Sequence, residues 1–239
     1  MTQKGRIVVT GASSGIGLAI CRLLAADGYT VTGVARDFST EATAVLSRAV
    51  SFDLSSAGEL DDFARRLAAE EKDADAVVLA AGAGAFAPVE SLSVAQIRRM
   101  LDLNLLAPMI ISRAFVPGFK SRRRGDLVFI GSEASRQAGP RGTAYCASKF
   151  GLRGYVKALR IECASRGVRV SLVNPGMTDT AFYDGLDFRP GAEPAQHLRA
   201  DDVAEAVRMI LAADPAAVFE EIDLAPLVRV IDFSRRSTD

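Results

Sequence analysis

"RIVVTGASSGIGLAICRLLAADG" (residues 6–28) sets the pattern of the chain. "RIVVT" (6–10) is a short β-branched run. "GIGLAICRLLAADG" (15–28) has helical spacing and closes on Gly28, and glycines crowd the turn between the two. A strand, a tight turn and a helix make the first half of a βαβ unit. The same alternation continues. "YTVTGVA" (29–35), "AVSFDL" (49–54), "DAVVLAAG" (75–82), "GDLVFIGS" (125–132) and "VRVSLVNPG" (168–176) read as strands. "AGELDDFARRLAAEE" (57–71), most of 93–121 and "TAYCASKFGLRGYVKALRIECASRG" (143–167) read as helices, with Pro108 and Pro117 interrupting the middle one. Strands apolar on both faces, separated by helices, make a parallel sheet covered on both sides. Right-handed crossovers then give an α/β, doubly wound fold with helices on both faces. No repeat or linker divides the 239 residues, so a single domain over 1–239 is expected.

The pattern changes after Gly176. Residues 177–199 hold two prolines, two glycines and scattered aromatics, which suits a substrate lid better than another βα unit. "ADDVAEAVRMILAAD" (200–214) restores a helix with Asp201 as its expected N-cap. "EEIDLAP" (220–226) reads as a last edge strand, and the apolar "PLVRVIDF" (226–233) is expected to pack on another subunit.

Composition narrows the function. Lys+Arg and Asp+Glu are both 29, so the net charge is zero and neither nucleic acid nor an anionic membrane is expected as a partner. "SRRRG" (121–125) reads as a solvated helix end. Cys21, Cys146 and Cys163 fit neither a disulfide framework nor a zinc site, which points to a reducing cytoplasm. The N-terminus enters a strand directly after "MTQKG", without a signal peptide, and no apolar run reaches membrane-spanning length uninterrupted. His197, the only histidine, has no companion ligands; it reads as a surface residue, and no metal is expected.

The turn "TGASSGIG" (10–17) lies between a strand and a helix N-terminus, an arrangement that favours anions. Gly11 permits the sharp turn, Gly15 lets a pyrophosphate approach, and Gly17 lets helix and strand pack closely. Ser13, Ser14 and Ile16 complete the expected cradle. The end of the second strand should meet the adenosine ribose. It offers Ala35 and Arg36 where NAD selection would need an acid, and a guanidinium suits a 2′-phosphate, so NADP(H) is the expected cofactor. Asp53, ending the third strand, is a candidate acceptor for the adenine amino group, or a turn residue.

Tyr145 and Lys149 are four apart on a helix and share a face. A phenol with a pKa of about 10 is barely ionised at neutral pH. A cation at about 4 Å, in an effective dielectric near 20, contributes about 4 kcal/mol, roughly three pKa units. Tyr145 could then serve as acid or base. Ser132, at the end of the fifth strand, stands where such sheets place ligand-binding groups.

Together "TGASSGIG", Ser132, "YCASK" and "NPGMTDT" resemble the short-chain dehydrogenase/reductase family, in order and over nearly the whole chain, with thirteen residues from Ser132 to Tyr145. The resemblance implies a Rossmann-type sheet and an NAD(P)-dependent oxidoreductase. It maps a catalytic tetrad onto Asn104, Ser132, Tyr145 and Lys149. Tyr145 would exchange a proton with a carbonyl or alcohol, Ser132 would hold the substrate oxygen, and Lys149 would lower the tyrosine pKa and bind the nicotinamide ribose. Asn104 would hold a water in a relay to Lys149. Pro175, Gly176, Thr178 and Thr180 would shape the nicotinamide pocket, with Thr180 on the carboxamide. Arg36 matches the NADP-preferring pattern. A homodimer or homotetramer is implied.

The chain departs from the family at Leu79-Ala80-Ala81-Gly82, where two asparagines usually precede Ala-Gly. The loss bears on rigidity and cofactor affinity; Gly82 is kept. Phe182, Tyr183, Leu186 and Phe188 in the lid point to a partly hydrophobic substrate, and Glu133 is the charge next to the proposed chemistry. The reading is an NADP(H)-dependent carbonyl reductase or alcohol dehydrogenase. The alternatives are a non-catalytic NADP(H)-binding sensor or scaffold, and an epimerase or enoyl reductase of the same fold.

Overall fold

The computed structural model describes residues 4–233. The first half of the chain forms β1 (Arg6–Thr10), α1 (Gly15–Ala26), β2 (Thr30–Ala35), a short α2 (Thr40–Ala44), β3 (Arg48–Ser51), α3 (Leu60–Glu70) and β4 (Ala76–Leu79). The second half forms α4 (Val94–Leu101), α5 (Ala107–Arg122), β5 (Gly125–Ile130), α6 (Thr143–Ala164) and β6 (Val168–Pro175). The short pieces β7 (Thr178–Asp179), β8 (Arg189–Pro190) and β9 (Leu198–Arg199) precede α7 (Ala200–Ala212), β10 (Glu221–Leu224) and β11 (Ile231–Asp232).

Seven strands pair in the order β10-β6-β5-β4-β1-β2-β3, every pair parallel. This is the doubly wound, Rossmann-type sheet expected of the sequence. Alternate side chains feed the two helical layers. Along β1, Val8 joins the core shared with α3, α5 and α6, while Ile7 and Val9 join the core shared with α1 and α7. Each such fully buried aliphatic side chain stabilises the fold by about 1.5–3 kcal/mol. The order reverses between β1 and β4, so the connections leaving those strands diverge and open a crevice at their C-terminal ends.

The prolines do not interrupt the middle helix. It runs from Val94 to Arg122, with a π-helical turn at Asp102–Leu106 joining α4 to α5. There the Ala107 N–H reaches back five residues to the Asp102 carbonyl. Pro108 follows at the second position of α5. Pro117 sits inside α5, whose buried Ile111, Phe115 and Phe119 hold the helix by packing. By length and composition alone this helix could cross a membrane. Here it packs against the sheet, and Arg113 on its outer side pairs with Asp61 of α3.

Asp201 is not the N-cap of α7. Arg199 holds that position, because β9 runs directly into the helix and fixes its phase. Asp202 reaches back to accept the Arg199 N–H at 2.8 Å. The arginines at the end of α5 are not merely solvated. Arg122 donates to the Lys72 and Ala74 carbonyls, and Arg124 pairs with Asp75 at 2.6 Å. β10 is the expected edge strand. Within the chain, the segment expected to pack on another subunit pairs with the lid: Ile231 and Asp232 lie antiparallel to Pro190 and Arg189.

Candidate active site

A cleft of about 380 Å³ opens over the C-terminal ends of β1 and β4. The β1–α1 turn lines it with Gly11, Ser13, Ser14, Gly15, Ile16 and Gly17. Arg36 and Asp53 reach it from the ends of β2 and β3, and Gly82 from the end of β4. Ser132, Tyr145 and Lys149 stand on the opposite wall, and Pro175, Gly176, Thr178 and Thr180 close the far end. Asn104 lies behind the wall, buried.

Local sterics explain the glycine turn. Gly11 has φ +69°, and a Cβ there would stand 2.8 Å from the Ala81 Cα. A Cβ on Gly17 would lie 2.1 Å from the Gly11 carbonyl oxygen. Only glycine lets helix and turn close up this far. Ser14 is the N-cap of α1 but makes no side-chain capping bond. The first amides of α1 are therefore left for another acceptor, at the positive end of the helix dipole. Thr10 stabilises the altered segment beside the turn: its hydroxyl accepts the Ala80 and Ala81 N–H groups at 3.1 and 3.2 Å.

At the end of β2, Arg36 is exposed and makes no hydrogen bond or salt bridge among the described residues. Asp53 accepts the Ser55 N–H at 2.9 Å and its hydroxyl at 2.7 Å, both on Oδ1. Partial burial opposes its charge, but the Ser55 bonds and the Arg99 and Arg36 cations hold the carboxyl below its ordinary value. Asp53 is thus a turn residue that also faces the cleft.

Tyr145 and Lys149 share the buried face of α6. The Lys149 amine lies 5.8 Å from the Tyr145 ring centre and donates to the Ile130 carbonyl at 3.1 Å. The phenol pKa is not lowered as expected. Burial pushes Tyr145 up to about 12, against a smaller opposing effect of the Ser132 hydroxyl, and pushes Lys149 down to about 8. Desolvation disfavours both charges and outweighs their mutual help. Ser132 itself caps a short helical turn, accepting the Ala134 N–H at 3.1 Å.

Asn104 sits in the π turn. Its Oδ1 accepts the Ala83 N–H at 2.9 Å, and its Nδ2 donates to the Ala83 carbonyl at 2.8 Å and to Ser148 Oγ at 3.1 Å. The side chain is therefore occupied in fixing the loop after β4. The Asn104 carbonyl lacks its usual helical donor, because the residue four places on is Pro108. Ser148 was not singled out from sequence; its small polar side chain carries no distinctive signal.

Residues 177–199 form no βα unit. β7 and β9 pair and bring the two ends of the segment together. Phe182 and Tyr183 line the cleft. Phe86, unnoticed in the sequence because its loop has no periodicity, stands 5.1 Å from the Tyr145 ring and 5.0 Å from Phe188. Leu186 and Phe188 are not on the cleft; Phe188 packs behind Phe86. Arg141, before α6, pairs with Asp187 at 2.5 Å and ties residues 177–199 to the start of that helix. His197 is half-buried, with Nδ1 2.9 Å from the Gly191 carbonyl, and so braces the lid instead of facing solvent. Glu133 is half-buried near Gly176, and its charge adds to the upward shift of Tyr145. Among the described residues no group of three or more His, Cys, Asp or Glu could hold a metal ion.

The family model for short chain dehydrogenase matches residues 5–187. The chain belongs to the short-chain dehydrogenase family. Among solved members, an alcohol dehydrogenase from the archaeon Thermococcus sibiricus, complexed with 5-hydroxy-NADP, is 31% identical with a TM-score of 0.82. That match covers 95% of this chain and 98% of the other. A metagenomic short-chain oxidoreductase in complex with NADP is also 31% identical, with a TM-score of 0.78, covering 95% and 99%. D-threitol dehydrogenase of Mycolicibacterium smegmatis is 31% identical over 233 residues, 91% of this chain and 89% of that protein. Human retinol dehydrogenase 8 is 33% identical over 190 residues, 75% of this chain. The chain spans 61% of the length of that relative and 57% of rat estradiol 17-beta-dehydrogenase 1.

Proposed function

We propose that this family member is an NADP(H)-dependent oxidoreductase that interconverts a carbonyl compound and its alcohol, with Tyr145 as general acid/base. The observation that carries the reading is the single cleft that gathers Ser132, Tyr145 and Lys149 with the glycine turn and Arg36. The donor set fits a nicotinamide dinucleotide. The uncapped α1 terminus with Ser13, Ser14, Gly15 and Ile16 would take the pyrophosphate. Arg36 would take a 2′-phosphate and Asp53 would face the adenine, its second oxygen accepting the amino group. Lys149 would bind the nicotinamide ribose beside Gly82. Pro175, Gly176, Thr178 and Thr180 would bound the nicotinamide, Thr180 bonding its carboxamide. Two NADP-bound relatives at 31% identity support the same choice of cofactor.

The bound cofactor supplies or accepts the hydride. The protein handles the proton. Ser132 holds the substrate oxygen, and Tyr145, protonated throughout the neutral range, donates to that oxygen during reduction. During reduction Lys149, behind the phenol, would return the lost proton, and a water held at Asn104 would pass the replacement inward from solvent; in alcohol oxidation the same path would run outward. Phe86, Phe182 and Tyr183 make the substrate side apolar and aromatic, which fits a partly hydrophobic carbonyl compound. Substrates named for the relatives range from a retinol to a tetritol, so the class beyond this is open to experiment.

We place the enzyme in the cytoplasm, in keeping with three buried free thiols, and expect a homodimer or homotetramer. Light scattering on the eluting protein reads the assembly directly. NADPH consumption across ketones, aldehydes, quinones and keto acids, with NADH in parallel, tests the function. Turnover with NADPH preferred supports it; confirmed NADPH binding without turnover of carbonyls or alcohols contradicts it.

A further inference from the structure

The C-terminal part of the described chain fastens the outer edge of the lid. Ile231 and Asp232 pair with Pro190 and Arg189. Beside this ladder, the Gly191 N–H donates to the Val230 carbonyl at 3.3 Å, and the Val228 N–H to the Ala195 carbonyl at 2.8 Å. Arg189 Nε reaches Asp232 Oδ2 at 3.1 Å. The Phe233 ring then lies 6.1 Å from Phe188. Phe188 meets Phe86 edge-on at 5.0 Å, and Phe86 meets Tyr145 at 5.1 Å. Four rings thus connect the C-terminal segment to the proposed acid.

We propose that residues 228–233 are the outer wall of the substrate site, with Phe233 a positioning residue that sets Phe188, and through it Phe86, against Tyr145. The nature of the bound molecule rests on the reductase reading; the wall itself does not. A two-residue ladder is marginal alone. Ile231 is 51% exposed and Phe233 42% exposed, so the segment has little buried area of its own to hold it. The strand pairing, the Arg189–Asp232 bond and the Phe188–Phe233 contact join it to the lid, and losing the Phe233 ring should loosen the lid without disturbing the sheet. The β1–α1 turn lies across the cleft, and Thr178 is held by the separate pairing of β7 with β9, so NADPH binding should change little. A carbonyl compound with a ring beyond the reacting group would touch this wall, whereas a four-carbon dione would not.

The test compares Phe233→Ala, Phe233→Tyr and Asp232→Ala with the unaltered protein. Two probes are used with NADPH, 1-phenyl-1,2-propanedione and 2,3-butanedione. In Phe233→Ala the KM for the phenyl dione should rise about three- to tenfold while kcat changes by less than about twofold. The KM for butanedione and the NADPH Kd should hold, and Phe233→Tyr should restore the phenyl dione. Amide exchange at Gly191 and Val228 should quicken in Phe233→Ala and Asp232→Ala. Unchanged exchange at both amides, or equal KM changes for both diones, overturns the proposal. If the unaltered protein reduces neither dione, the exchange measurement still decides whether the wall exists, while the carbonyl panel judges the reductase reading separately.

Discussion

The Lys149 amine stands 5.8 Å from the centre of the Tyr145 ring and donates a hydrogen bond to the Ile130 carbonyl at 3.1 Å. Both groups are almost fully buried. Desolvation governs the pair before any ligand arrives, raising the phenol to about 12 and lowering the amine to about 8. The protein therefore presents a protonated phenol, the form that the proposed carbonyl reduction requires.

A directional pH dependence results. Alcohol oxidation needs the phenolate, a minor species far below the phenol pKa. Its kcat/KM should rise as the pH is taken from about 7 to about 9, because the ionised fraction grows roughly tenfold per unit there. Carbonyl reduction should not rise over the same interval. Initial rates in both directions with one alcohol–ketone pair check this; parallel profiles would refute the assignment of Tyr145 as the proton donor.

Lys149 should also leave a mark on stability. Its pKa is 10.5 in the ordinary state and about 8 in the fold, so the unfolded chain binds more protons between these values. Stability then rises with pH across that window, and the burial penalty is fully present below it. Lys149→Met should melt higher than the unaltered protein at neutral pH, by an amount worth on the order of 1–3 kcal/mol. The gap should shrink as pH climbs toward 10.5, the ordinary lysine value. Denaturant titrations at several pH values measure it. A variant less stable at neutral pH would show that the Ile130 bond outweighs the desolvation.

Arg36→Ala should weaken NADPH far more than NADH. A guanidinium forked onto a phosphate contributes about 1.5–3 kcal/mol, so the NADPH Kd should rise about ten- to a hundredfold. Equal losses for the two cofactors in a binding titration would remove Arg36 as the phosphate ligand.

Asn104→Ala should lower stability by about 1–3 kcal/mol, because it strips the Ala83 N–H and carbonyl of their partners in a buried site. Asn104→Asp keeps the acceptor for the Ala83 N–H but sets a second carboxylate oxygen against the Ala83 carbonyl in a buried site, and should fall further than alanine. Chemical denaturation ranks the two. An alanine variant as stable as the parent would mean that the loop after β4 does not depend on this side chain.

The βα alternation was legible because each strand and helix carries its own period and each turn its own glycine. The cleft was legible at Gly11, Gly17, Ser132 and Lys149, since a doubly wound sheet brings the C-terminal strand ends together whatever the loops do. Phe86 was invisible, because its position against Tyr145 depends on how an aperiodic loop folds back. So was the Arg141–Asp187 pair, whose members are 46 residues apart. Pro108 misled for a physical reason: a π turn before it absorbs the missing amide, and π turns have no sequence period to announce them. The tyrosine–lysine spacing showed that the two groups share a face, but not how dry that face is.

The most direct test sets Tyr145→Phe beside the unaltered protein in one NADPH-consumption assay with a carbonyl compound that the latter reduces, and titrates NADPH binding to both. Loss of nearly all turnover in the variant, with NADPH bound about as tightly as before, is the predicted result. A variant that still consumes NADPH at a comparable rate would contradict Tyr145 as the acid, and with it the chemistry proposed for the cleft.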